Sequence, residues 1–411
     1  MKSKIYMPAL TGIRAIAAYL VFFHHYNTKV FPAFINRLFW EFHIGVNIFF
    51  VLSGFLIYYR YYNHVQLGRK WLGQYFMNRV ARIYPVYAIL TLASFYFFPK
   101  LNADTSVFFG GAQDHLNLLL LNLTFLKGFF YNFVFTGIAQ SWTLTIEECF
   151  YLLAPLFFLL LRKNKNFFVY LPLLITAIGI MLVKLMGPYS AGTHAFYGDS
   201  TFMYLYTFNG TCIEFFIGMF LARIVLNNEA IVSRKPLFTF LGALIMSMSL
   251  MILCSFKQTD MIISGLYHPL GTLTDHVFLP IGTAVFFYGL IKEQTLIKNL
   301  LSSRIMVLLG KSSYVFYLIH IGFIALFLNR YTISAAEHVC QWMDTHHLGS
   351  LSSKAFFNPV LNIAMKFILL NGIAILIFKF IEEPLNNSIR KLYQRIFKRD
   401  SKELPAENKV I

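Results

Sequence analysis

The residues best suited to chemistry lie inside long apolar runs. The stretch Pro8 to Tyr26 carries Arg14 and His25. At about 100° per helical residue, His25 returns to within roughly 20° of Arg14, about 16 Å further along the same face. Ala18 and Val21 lie between them, small enough to leave a groove, and His24 projects about 80° away. Charged side chains inside a membrane span are costly and rarely face lipid, so an arginine and a histidine on one stripe suggest a site. On spacing alone, an arginine snorkelling to one surface and a histidine in the opposite interface explain the pair equally well.

Two further groups resemble parts of the same device. Arg79 and Arg82 share one helical face, followed by Tyr84, Pro85 and Tyr87. Two guanidinium groups one turn apart can hold phosphate oxygens, although basic anchors with a tyrosine belt are the simpler reading of this stretch alone. Glu147 and Glu148 follow Trp142, and Glu147 lies about 8 Å into its helix. His25, about 25 Å from the inner edge at Pro8, reaches a similar depth. A carboxylate and an imidazole at matching depth can pair, which fixes the tautomer and raises the basicity of the ring. A structural acid bonded to neighbouring helices is the alternative, and a buried acid needs a partner either way.

His320 reads, taken alone, as a satisfied interhelical histidine. Glu214 and Lys366 fall within apolar runs and receive no role. Asp344, His346 and His347 have the composition of metal ligands but form too small a cluster, so no metal is expected.

The elements that must position these groups are spans. The sequence has 411 residues, of which 57% are hydrophobic and 13% charged, with a mean hydropathy of +0.60. Soluble domains carry about 25% charged residues, so an integral membrane protein is expected. The first apolar stretch contains Arg14 and lacks a small-residue cleavage site, so it reads as a retained span and not a signal peptide. The net charge of +17 does not indicate nucleic-acid binding, because the basic residues sit in alternate loops. Cys149, Cys212, Cys254 and Cys340 form no paired framework, which argues against a disulfide scaffold or a zinc site.

Runs near the length needed to cross a bilayer fall at 8–26, 42–60, 82–98, 143–161, 167–186, 203–225, 236–255, 276–291, 313–329 and 359–381. The expected fold is therefore all-α, a polytopic transmembrane helix bundle of about ten spans. Basic residues concentrate in alternate loops, beginning with Lys2 and Lys4 and ending with the tail from Arg390. The positive-inside rule then places both termini in the cytoplasm. The expected division is a membrane domain over 1–390 and a basic tail over 391–411 that lies on anionic headgroups or is disordered. In the outer loop 99–141, the apolar run His115 to Leu126 reads as a re-entrant or interfacial segment. Loop 330–358 reads as polar.

The combination of motifs carries a resemblance. Leu10-Thr11-Gly12-Ile13-Arg14 followed by His25 resembles the R-x10-H element of the acyltransferase-3 family of membrane acyltransferases. Gly45 to Leu56 is similar to that family's second-span motif, and Arg79-x-x-Arg82 to its RxxR element. Trp142 to Tyr151 resembles its W-S-L-x-x-E-x-x-F-Y segment, Ser313 to His320 its S-Y-x-x-Y-L-x-H run, and Glu382-Glu383-Pro384 its closing E-x-P. The likeness covers about residues 5–390. Thr11, Thr143 and Glu383 depart from the residues usual in the family, without touching Arg14, His25, Arg79 or Arg82. Some members continue into an extracytoplasmic esterase-like domain, which is not expected here.

The resemblance implies transfer of an acyl group, acetyl in most members, from cytoplasmic acyl-CoA to a hydroxyl of a cell-surface carbohydrate or lipid-linked glycan. A bacterial inner membrane is the implied location. Arg79 and Arg82, helped by Arg14, would hold the donor phosphates. His25 would act as general base or transient acyl carrier, with Glu147 orienting it. Two other classes remain open. A secondary transporter or flippase would also bury Arg, His and Glu, but would need no RxxR pair at the inner edge. A catalytically silent partner in polysaccharide export would have no use for Arg14, His25 and Glu147 together.

Overall fold

In a computed structural model the described residues are 6–27, 31–66, 68–97, 112–228, 233, 235–256, 264–346 and 358–400. Among them the structure is helical, with isolated bridges Phe130–Phe196 and Ser233–Glu293 in place of strands. In chain order the helices are α1 (Pro8–His25), α2 (Ala33–Trp40), α3 (Gly45–Tyr61), α4 (Arg69–Phe97), α5 (Ala112–Leu123), α6 (Trp142–Lys163), α7 (Phe167–Met186), α8 (Ser200–Tyr206) and α9 (Phe208–Asn227). They continue with α10 (Leu237–Ser255), α11 (Pro269–Leu273), α12 (Leu279–Lys292), α13 (Leu296–Leu301), α14 (Arg304–Ile319), α15 (Phe323–Thr345), α16 (Pro359–Ile377) and α17 (Glu383–Asp400).

Among the described residues eight helices are long and apolar enough to cross a bilayer, or nine if α14 and the bulk of α15, bent by 88°, form one broken span. Helices of this number, length and apolar character mark an integral membrane protein. The remaining expected span is α1, whose Arg14, His24 and His25 lower its apolar character. It packs against α3, α12, α13 and α14, and Ala15, Ala17, Ala18 and Phe22 are fully buried. This span is thus packed largely within protein, as the cost of exposing an arginine to lipid requires.

Close helix crossings set the geometry. A Cβ at Gly54 of α3 would collide with the carbonyl oxygen of Phe215 on α9, and one at Gly310 of α14 would collide with that of Thr11 on α1. Small residues let helix backbones meet where lipid supplies no hydrophobic drive. The glycines of the second-span motif and of the stretch before Ser313 therefore bring α3, α9, α1 and α14 together around the polar residues.

Two segments differ from expectation. Helix α4 begins at Arg69, not near 82, so Arg79 and Arg82 lie well inside a 29-residue helix. Tyr75 and Ala81 are buried there, and this packing extends the helix beyond its most apolar part. Residues 330–345, expected in a polar loop, continue helix α15 after Gly322, whose φ is +90°. Helix α17 runs unbroken across position 390 and packs on α4, with Arg390 donating to the carbonyl of Asn78 at 3.4 Å. Within the expected outer loop, His115 to Leu123 lie in α5, and Asn122 there accepts on its carbonyl from the Tyr87 hydroxyl at 2.8 Å. Residues 98–111 and His347 lie outside the described residues, as does the tail beyond 400.

Candidate active site

Two cavities adjoin in the core, and Val46, Phe50 and Tyr317 line both. The first, of about 80 Å³, is lined by Arg14, Arg79, Arg82 and Glu147, with Ser53, Tyr151 and Tyr314 among its other walls. Helix periodicity puts Arg79 and Arg82 on one face. Arg79 is buried. Its guanidinium lies 5.7 Å from the ring centres of both Tyr61 and Tyr151, and its Nε has no hydrogen-bond partner. Arg14 has Arg82, Glu147 and Glu382 as electrostatic neighbours, while Arg60 and Arg390 face Arg79 and Arg82. Glu147, Glu148 and Glu382 are the carboxylates facing these groups. Among the described residues lining this cavity, three guanidinium groups stand against one carboxylate, a positive excess in a low-dielectric interior and the setting of an anion site.

The second cavity, of about 330 Å³, holds His25 together with His24, His43, Asn47, Glu214, Asp275 and His276. Its other walls include the aromatic residues Trp40, Trp142, Tyr206 and Tyr267. The His25 ring lies 4.9 Å from that of His24 and 5.3 Å from that of His320. His320 is fully buried, its Nδ1 is 2.7 Å from the carbonyl of Tyr317 and its Nε2 has no partner. It is therefore a neighbour of His25 and not a fully satisfied structural histidine.

The structure thus divides the residues singled out in the sequence. Arg14, Arg79, Arg82 and Glu147 come together, while His25 lies beyond the shared wall. The expected pairing of Glu147 with His25 is not formed. Glu147 accepts from the Tyr151 hydroxyl at 3.0 Å, and that hydroxyl is 2.9 Å from Ser53 Oγ. The reason is rotational. Trp142 lines the histidine cavity, but five residues further along α6 the helix has turned about 140° away, which aims Glu147 at the arginines. Lys366 places its ammonium 5.5 Å from the centre of the Tyr26 ring.

Sequence reasoning passed over Asp275 and His276, and gave Glu214 no role. The His276 Nδ1 lies 2.8 Å from Glu214 Oε1. The His43 Nε2 lies 3.2 Å from Asp275 Oδ1, and the Asn47 amide donates to Asp275 Oδ2 at 3.0 Å. Asp275 and His276 share a π-helical turn, Thr274–Phe278, a feature that often marks functional sites. A large apolar groove of about 1280 Å³ between α7, α9 and α12 also reaches His276, and shares Leu205, Leu266 and Tyr267 with the histidine cavity.

The profile of a family described as "Acyltransferase domain" matches residues 7–378. The chain belongs to this acyltransferase family. Among its relatives is a Bacillus subtilis protein, YrhL, named as a candidate peptidoglycan O-acetyltransferase, 24% identical over 95% of this chain and 57% of its own length. A candidate O-acetyltransferase of Staphylococcus aureus is 24% identical over 81% of this chain and 53% of its own. The peptidoglycan O-acetyltransferase OatA of Listeria monocytogenes is 27% identical over 39% of this chain and 25% of its own. The chain spans about half the length of the first two relatives. No solved structure matches it.

Proposed function

We propose that this protein is a membrane O-acyltransferase that moves an acyl group, acetyl in the simplest case, from cytoplasmic acyl-CoA to a hydroxyl of a cell-surface carbohydrate or lipid-linked glycan. The observation that carries the reading is the pair of adjoining cavities, one rich in arginine and the other in histidine, separated by Val46, Phe50 and Tyr317. Arg79, Arg82 and Arg14 hold the phosphates of the donor. The unpartnered Nε of Arg79 and the surplus of guanidinium groups are what a polyanion requires. The acyl end then reaches past the shared wall to His25, which acts as general base or transient acyl carrier. Glu147, held by Tyr151, limits the repulsion between the arginines when the donor is absent.

The histidine cavity suits the acceptor. Trp40, Trp142, Tyr206 and Tyr267 supply flat apolar faces, and Asn47, Glu214 and Asp275 supply polar groups, the usual composition of a small-molecule site. The adjoining groove gives a lipid-linked glycan a place for its hydrocarbon chain. The peptidoglycan named for the Bacillus and Listeria relatives is a specific candidate acceptor. With both termini cytoplasmic, as the loop charges imply, the arginine side receives the donor and the histidine side faces away from the cytosol. A bacterial inner membrane is the setting we propose, with residues 1–390 as the catalytic body and 391–411 as a basic cytoplasmic tail.

The test uses membranes containing the protein, incubated with acetyl-labelled acetyl-CoA and a glycan acceptor. Label in the glycan together with free CoA is the expected result. Movement of the glycan across the membrane with the thioester intact would replace this reading with a transporter.

A further inference from the structure

We propose that Glu214 and His276 form a second acid–base unit, in which His276 Nε2 takes the proton of the acceptor hydroxyl. The inference rests on the acyltransferase reading and assigns a role that His25 cannot fill while it carries the acyl group. His276 Nδ1 lies 2.8 Å from Glu214 Oε1. A carboxylate only accepts, so Nδ1 carries the proton and donates it, and the tautomer is assigned by that bond. The Nε2 of the ring then presents a lone pair, and it is buried with no hydrogen-bond partner. Glu214 is fully buried, and its second oxygen, Oε2, is also without a partner. A carboxylate that fixes and orients an imidazole, leaving the far nitrogen free, is the arrangement that makes histidine an effective general base. Both residues line the cavity that contains His25. A sphere of its volume is about 9 Å across, so one sugar unit seated there fills the space that both residues line.

The surroundings favour the charged form that proton uptake would create. Asp275 Oδ2 is 3.8 Å from His276 Nδ1. Both nitrogens of His43 face acceptors, the carbonyl of Trp40 at 3.3 Å and Asp275 Oδ1 at 3.2 Å, and Glu41 lies 3.9 Å from the same ring. The other titratable groups lining the cavity are His24, His25, Tyr206, Tyr267 and Tyr317. Glu214 and Asp275 stabilise an imidazolium at position 276 electrostatically, while a protonated His43 would oppose it.

The steps balance. A His25 ring nitrogen attacks the thioester carbon and the C–S bond breaks, and the sulfur leaves with its electron pair and takes the His25 proton to become the thiol. The acceptor oxygen then attacks the acyl carbon on His25 while its proton passes to His276 Nε2. The C–N bond breaks with its electrons returning to His25, which is reprotonated from His276. Glu214 is a positioning residue throughout.

The experiment compares the full-length protein with His276→Gln, His276→Ala and Glu214→Gln in detergent or liposomes, using labelled acetyl-CoA with and without a glycan acceptor. The side-chain amide of His276→Gln cannot take a proton. The proposal expects both position-276 variants to bind acetyl-CoA and release CoA without acceptor as the parent does, while transfer to glycan falls about 10²–10⁴-fold. Added imidazole restores transfer in His276→Ala, and Glu214→Gln shifts the pH at which transfer rises. Transfer by His276→Gln at the parental rate and with the parental pH profile overturns the proposal, as does equal loss of donor binding. Loss of transfer on chelation, restored by a divalent cation, overturns it in favour of a metal held by Glu214, Asp275 and His276, whose ligand atoms lie within 4.8 Å of one another. If the parental protein itself releases no CoA and labels no glycan, the acyltransferase reading fails, a result distinct from failure of the dyad alone.

Discussion

The arginine cavity and the histidine cavity share α1, α3, α6 and α14, yet they differ in size and charge. Around Arg14, Arg79 and Arg82 the space is small, about 80 Å³, and positive charge exceeds negative. Around His25 the space is about four times larger, and the carboxylates sit beside imidazoles. In the function we propose, the first arrangement binds an anion by charge, and the second holds an uncharged polar molecule against aromatic faces beside proton acceptors. On the same reading Glu147 beside arginines is an anchor, whereas Glu214 beside His276 orients a base.

Substitutions that damage one cavity and spare the other sharpen this contrast. His25→Ala should remove about 10²–10⁴-fold of the transfer rate while leaving acetyl-CoA binding intact, measured by label in the glycan and by equilibrium binding. Arg82→Ala should weaken the donor side, raising KM for acetyl-CoA about 10–100-fold, as expected for a lost charge-assisted bond of about 1.5–3 kcal/mol. A fall in kcat with unchanged KM would move Arg82 out of donor binding. Gly310→Ala should act on both cavities, because the added Cβ meets the carbonyl of Thr11 on α1. Overpacking of this kind costs about 1–3 kcal/mol, visible as a lower thermal midpoint in detergent with a parallel loss of donor binding and transfer.

The smallest effect lies outside the spans. Lys127 is buried in the segment before α6, and its ammonium donates to the carbonyls of Thr136 and Ile138. Burial pushes its pKa down from 10.5 to about 7. Between those values the unfolded chain holds a proton that the folded chain lacks, so stability rises with pH across that window. Hydrogen exchange in residues 128–138 should slow between pH 7 and 10, after correction for intrinsic rates, and Lys127→Met should remove the dependence.

Much of this architecture was legible in the sequence. Apolar runs marked the helices, and Arg14 with the Arg79–Arg82 pair marked polar positions that the fold gathers in one cavity, with His25 in the adjoining one. Rotation around the helices was harder to read. Glu147 has the depth to meet His25, but its angle on α6 turns it to Tyr151 and the arginines. Asp275 and His276 were invisible because adjacent residues on an α-helix diverge by about 100°. Both nevertheless line one cavity, from the π-helical turn Thr274–Phe278. The start of α4 was misplaced because hydropathy registers lipid contact, whereas residues 69–81 are stabilised by protein contact instead.

The central claim is that donor and acceptor approach from opposite sides and meet through one wall. It is tested most directly in sealed liposomes containing the oriented protein, with labelled acetyl-CoA on the side of the α1 N-terminus and a membrane-impermeant glycan acceptor on the other. The account predicts label in the glycan across the intact bilayer. Label appearing only when both reactants share a side would contradict it.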